Sequence, residues 1–139
     1  MRSAMQDYSE NQFLAAAKIP DLDIEICDVT LRDGEQMPGV VFRADEKLDI
    51  AMRLDEIGVE VIEAGFPVVS AAEKNAVREV CNLGLDAKIS ALSRSVKKDV
   101  DAAIDCGVDM ISVFIATSDL HLKHKLHMSC PEAISCTPQ

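Results

Sequence analysis

The sequence predicts an α/β fold built from parallel βα units, and three observations predict it. Helical stretches with one apolar face alternate with short apolar runs. Gly58, Gly84 and Gly107 each end a helical stretch, and each is followed by an apolar residue and an acid: Val59-Glu60, Leu85-Asp86 and Val108-Asp109. This helix–Gly–strand unit recurs about every 25 residues, as in parallel α/β proteins. The third observation is an absence. No Gly-x-Gly-x-x-Gly follows the first strand, which favours the closed eightfold barrel over the open doubly wound sheet without deciding between them.

Residues 1–22 read as a polar N-terminal extension with an apolar patch at Phe13-Leu14-Ala15-Ala16-Ala17. The run Ile24-Glu25-Ile26-Cys27-Asp28-Val29 reads as the first strand. Asp45 to Ile57 reads as a helix with Leu48, Ala51, Leu54 and Ile57 on one face. Gly58 stands where a helix C-terminus takes a left-handed residue. Residues 59–63 form the second strand. Ser70 and Glu73 have the spacing of a reciprocal capping box, opening a helix with Ala76, Val77, Val80 and Leu83 inward. A third strand is expected over 87–92. Ser95 is placed to cap a helix with Val96, Val100, Ala103 and Ile104 inward, and the fourth strand runs over 110–115.

Composition excludes some functions. The chain has 139 residues, enough for one domain with a real core. Its 24 acids against 14 bases give a net charge of −10, unsuited to a phosphate backbone. The basic pair Lys97-Lys98 is followed directly by Asp99 and Asp101. No run approaches the ~18 apolar residues of a membrane span, and no secretory leader is legible. Five cysteines in irregular spacing suggest reduced thiols in a cytoplasmic protein.

In both candidate folds, chemistry gathers at the C-terminal strand ends. The first two ends carry Thr30-Leu31-Arg32-Asp33-Gly34-Glu35-Gln36 and Glu63-Ala64-Gly65-Phe66-Pro67; the third and fourth offer Ser93-Arg94 and Thr117-Ser118-Asp119. Charge beside a buried strand is expensive unless paired or bound. Asp33 is an oxygen ligand suited to a hard divalent cation. Arg32 suits a carboxylate or a developing oxyanion. Glu63, if desolvated, has the character of a general acid or base. Arg-Asp-Gly after a strand is also a common solvated turn, and spacing alone leaves both readings open.

The stretch from Asp28 to Val40, with its core Arg32-Asp33-Gly34-Glu35-Gln36, resembles the opening motif of the isopropylmalate, homocitrate and citramalate synthases, relatives of the hydroxymethylglutaryl-CoA lyases. The match continues colinearly through Glu46-Lys47-Leu48, Leu54 to Val59, Ile62-Glu63-Ala64-Gly65-Phe66-Pro67 and Ala116 to His121, covering residues 23–129. The resemblance implies a TIM barrel, of which this chain holds the N-terminal half in about four βα units. It implies Claisen condensation of acetyl-CoA with a 2-oxo acid, in amino-acid (leucine) biosynthesis, assisted by a divalent metal (Mg, Mn or Zn). By motif position, Asp33 is the metal ligand, Arg32 and Glu63 are catalytic, and Arg32 and Gln36 bind substrate.

Three departures qualify it. Val29 replaces a usual Thr, and Ser112 stands where many isopropylmalate synthases carry His. No His-x-His, the family's further metal-ligand pair, occurs in the chain. After Ser129 the sequence leaves the expected helix, so 130–139 reads as a divergent tail and the chain as inactive alone. The alternative is a non-catalytic half-barrel that self-associates or pairs with a longer relative. The tail offers a weaker one: His121, His124 and His127 with Cys130 and Cys136 have spacings that could hold zinc.

Overall fold

The computed structural model describes residues 24–136; the apolar patch at 13–17 lies outside them. Its strands are β1 (Cys27–Asp28), β2 (Val61–Glu63), β3 (Lys88–Arg94) and β4 (Met110–Phe114). They pair in parallel in the order β1-β2-β3-β4, with Cys27 opposite Val61, Glu63 opposite Ser90, and Leu92 opposite Ser112. Between them lie α1 (Ala44–Glu56), α2 (Ala71–Cys81) and α3 (Lys97–Ile104). Sequential parallel strands joined by helices are the arc of a βα barrel.

Strand alternation separates two faces. Ile62, Ala64, Ile89 and Ala91 point to the helices and are buried with Ala51, Val77, Val80 and Ala103. The other face carries Val61, Glu63, Ser90, Leu92 and Ser112. Gly58, Gly84 and Gly107 take φ of 86°, 70° and 84°, the left-handed helix ends that the repeat predicts.

Two acids of that repeat, Glu60 and Asp109, hold neighbouring strands in register. The Ile26 amide donates to Glu60 Oε2 at 2.8 Å, and the Ile89 amide donates to Asp109 Oδ2 at 2.8 Å. The Ile26 amide holds the exposed Glu60 carboxyl below the usual range.

Several expectations change. β1 and β2 are shorter than predicted, while β3 runs on to Arg94. Ile57, Val96 and Ile104 are exposed rather than inward: Ile57 and Val96 are cap residues just outside α1 and α3, and Ile104 is the last residue of α3. Val96, not Ser95, occupies the N-cap of α3; Ser95 instead donates through Oγ to the Cys136 carbonyl at 3.2 Å. The Ser70–Glu73 box is only half formed. Ser70 Oγ accepts the Glu73 amide at 3.0 Å, but the Glu73 carboxylate turns away to other partners.

Beyond β4 come α4 (Asp119–His121), a π-helical turn (Leu122–Leu126) and α5 (Cys130–Ser135). Widening to π geometry breaks the three-residue stacking of the imidazoles, and His127 sits at φ 53°. His121, His124 and His127 are exposed, and no group of three metal-ligating side chains forms among the described residues. α5 begins with a complete Ser129–Glu132 capping box and Pro131 in its first turn.

Candidate functional site at the first two strand ends

The turn after β1 is built by one carbonyl. Val29 O accepts the amides of Arg32, Asp33 and Gly34 at 3.2, 2.7 and 3.4 Å. Because the backbone makes these bonds, Val in place of Thr leaves the turn in register. Asp28 adds an Asx turn, its Oδ1 accepting the Thr30 amide at 2.9 Å. Leu31 is fully buried and anchors the turn to the core, and Gly34–Gln36 closes it as a 3-10 turn.

That turn brings Arg32 onto the end of β2. Arg32 donates through Nε to Glu63 Oε2 at 2.5 Å and through Nη1 to Asp33 Oδ1 at 2.5 Å, leaving Nη2 outside both pairs. Glu63 is 3% exposed, while the Asp33 side chain is largely in water. A carboxylate so buried needs a close cationic partner, and Arg32 supplies it. Arg32, Asp33 and Glu63 therefore come together. Gln36 is exposed and joins Arg32 in lining a cleft of about 270 Å³ with Glu35, Phe66, Val69 and Ser70.

Asp33 offers one hard oxygen toward solvent. Since no further His, Cys, Asp or Glu converges on it among the described residues, these residues alone do not make a cation site.

Sequence reasoning missed two groups beside this pair, Lys47 and Ser90. Lys47, on α1, is 1% exposed, and its Nζ lies 2.7 Å from Glu35 Oε2 and 2.6 Å from Glu73 Oε2. The remaining carboxylate oxygens accept the Phe42 and Phe66 amides at 3.0 and 3.1 Å. Burying an ammonium costs several kcal/mol unless it is closely paired, and here two carboxylates pair with it. The legible signal was Lys47 itself, one turn before buried Ala51 on the inward stripe. Gly65 makes room for the network: a Cβ there would stand 2.0 Å from Glu73 Oε1.

Ser90, buried and paired in register with Glu63, was also missed; its Oγ lies 3.1 Å from Ser112 Oγ. Phe66 packs edge-on against Phe114, centroids 6.4 Å apart, tying the second strand end to the fourth. Cys27 lies on the same face of the sheet. Burial, then the Glu63 and Asp28 charges, pushes its thiol up, opposed by Arg32. At the third strand end Arg94 grips Asp99, its Nε and Nη2 at 2.5 and 3.0 Å from the two carboxylate oxygens.

Comparison with known proteins identifies the family and the fold. A family model described as HMGL-like matches residues 23–139. A homocitrate synthase of Methanosarcina acetivorans is 56% identical over 137 residues, covering 99% of this chain and 34% of that protein. A 2-isopropylmalate synthase of Methanocaldococcus jannaschii is 56% identical over 129 residues, covering 90% of this chain and 25% of that protein. The chain thus spans about a third or less of the length of these relatives. The crystal structure of the Bacillus subtilis HMG-CoA lyase superposes with a TM-score of 0.63 at 22% identity, over 81% of this chain and 39% of that one, a likeness of fold. The chain belongs to the HMGL-like family, and its four parallel strands with their helices are the N-terminal part of that family's TIM barrel.

Proposed function

We propose that this chain supplies the first two strand ends of a synthase that condenses acetyl-CoA with a 2-oxo acid. The observation that carries the reading is the Arg32–Glu63 pair, set beside Asp33 and Gln36 in a family whose relatives are homocitrate and isopropylmalate synthases. In the condensation, the acetyl methyl group loses a proton and its carbon attacks the 2-oxo carbonyl carbon. The carbonyl oxygen takes the negative charge; water then cleaves the thioester and releases CoA.

In this reading Arg32 is the oxyanion partner. Glu63 fixes it through Nε and Asp33 through Nη1, so the guanidinium meets the developing charge without reorganising. Glu63 is also the carboxylate placed to exchange a proton there. Gln36, on the cleft wall, orients the 2-oxo acid. Asp33 would be one ligand of a divalent cation, which would supply Lewis-acid polarisation of the carbonyl. Its other ligands come from outside residues 24–136, and the chain alone turns over no substrate. The setting is amino-acid biosynthesis in the cytoplasm; five free thiols suit a reducing compartment, and no described helix is long and apolar enough to cross a membrane.

The test is a chimera in which residues 23–129 replace the matching segment of a homocitrate synthase, assayed for CoA thiol release. Release that disappears with Arg32→Ala supports the reading. A folded chimera that binds metal but releases no CoA with 2-oxoglutarate or 2-oxoisovalerate sinks it.

A second reading, a non-catalytic half-barrel that pairs with another chain, is favoured by exposed Met110, Val113 and Phe114 on β4, an edge strand of the described sheet. Light scattering decides it, since a clean monomer at high concentration excludes self-pairing.

A further inference from the structure

We infer that Lys47 is a positioning residue for the Arg32–Glu63 pair, acting through Glu35 and Glu73 without touching the reacting atoms. The inference rests on the acyl-transfer reading only in treating that pair as the reacting end.

Lys47 joins the two loops that carry the pair. Glu35 lies in the 3-10 turn, beside Gln36 and two residues after Asp33. Glu73 is in the first turn of α2, and its other oxygen holds the amide of Phe66, three residues after Glu63. Glu35 likewise holds the amide of Phe42 at the approach to α1. One ammonium thus fixes the turn after β1, the start of α1 and the loop after β2 against one another.

Lys47 sits on a helix anchored in the core. Ala51, one turn along α1, is fully buried, so the helix cannot slide without opening the core. The two carboxylates reach the ammonium from the 3-10 turn and from the first turn of α2, at 2.7 and 2.6 Å. Without it, two half-buried negative charges face each other and the loops separate. Arg32 sits on one loop and Glu63 on the strand feeding the other, so that separation is read directly at Arg32 Nε.

The experiment uses the 139-residue chain and follows solvent exchange of the Arg32 Nε proton by NMR, assigned with Arg32→Lys. In Lys47→Met this exchange is expected to quicken about tenfold, while the core amides of Ile89 and Ala91 change by less than about twofold. Lys47→Arg, which keeps the charge and the donors, restores protection. Should Lys47→Met fail to fold, Glu35→Gln keeps the Lys47–Glu73 pair; it is expected to quicken exchange about threefold at Arg32 Nε and the Gln36 amide alone. Unchanged Arg32 exchange in folded Lys47→Met or in Glu35→Gln overturns the inference. So does equal quickening at Ile89, Ala91 and Arg32, which marks a general loosening. No acyl substrate enters the measurement, so failure of the acyl-transfer reading and failure of this inference are told apart.

Discussion

Arg32 and Glu63 meet at 2.5 Å across 31 positions of sequence, joining the turn after β1 to the buried end of β2. Removing one partner strands the other. Glu63→Ala is expected to cost about 1–3 kcal/mol, at the lower side of buried-pair losses because Arg32 retains some access to water. Urea midpoints at constant slope measure it. An unchanged midpoint would mean the pair contributes nothing to the fold.

Cys27 reports on the same carboxylate. Its thiol is pushed up first by burial and then by the Glu63 charge, so Glu63→Gln lowers it and raises the thiolate fraction. Alkylation of Cys27 at pH 8 is expected to speed up about two- to threefold. Cys81, pushed up to about 11 chiefly by burial, stays slow in both proteins and serves as the internal control. Equal Cys27 rates would show that its environment does not sense Glu63.

Gly65 holds its place by shape. A Cβ would meet Glu73 Oε1 at 2.0 Å and Val77 Cγ2 at 3.0 Å, while Lys47 and the Phe66 amide hold that carboxylate. Gly65→Ala is therefore expected to destabilise by about 1–3 kcal/mol. Glu73→Ala in the same background should recover the steric part. Additive losses in the double variant would show that the two do not clash.

Asp99 sets a pH dependence. Its carboxyl is held below the usual range, first by the hydrogen bond from Arg94 and against the opposing effect of burial. A depressed folded value means the pair stabilises above the unfolded pKa and is lost as pH falls through the folded one, the window below about pH 4. Asp99→Asn should lower the urea midpoint at pH 7 and show a smaller further drop between pH 4 and pH 2 than the parent chain. Parallel pH curves would exclude the pair as the source.

The same residues show what was legible beforehand. The glycines at 58, 84 and 107 and the apolar stripes marked the units because helix ends and helix periodicity are local rules. The acids after those glycines were seen as pattern, but that Glu60 and Asp109 clamp neighbouring strands required the register. Ser70 was placed correctly as a cap. The fate of Glu73 was not, because a local capping box competed with a buried ammonium from another helix and lost.

By itself the sequence determined the parallel βα rhythm, the strand ends where chemistry gathers and the Arg32-Asp33 motif, since each follows from neighbours a few residues apart. Only the tertiary structure decided that Arg32 reaches Glu63, that Lys47 lies buried between Glu35 and Glu73, and that Ser90 sits beside Glu63. Those pairings join residues from about a dozen to 31 positions apart. Burial sets their strength, and burial belongs to the packed sheet and helices together.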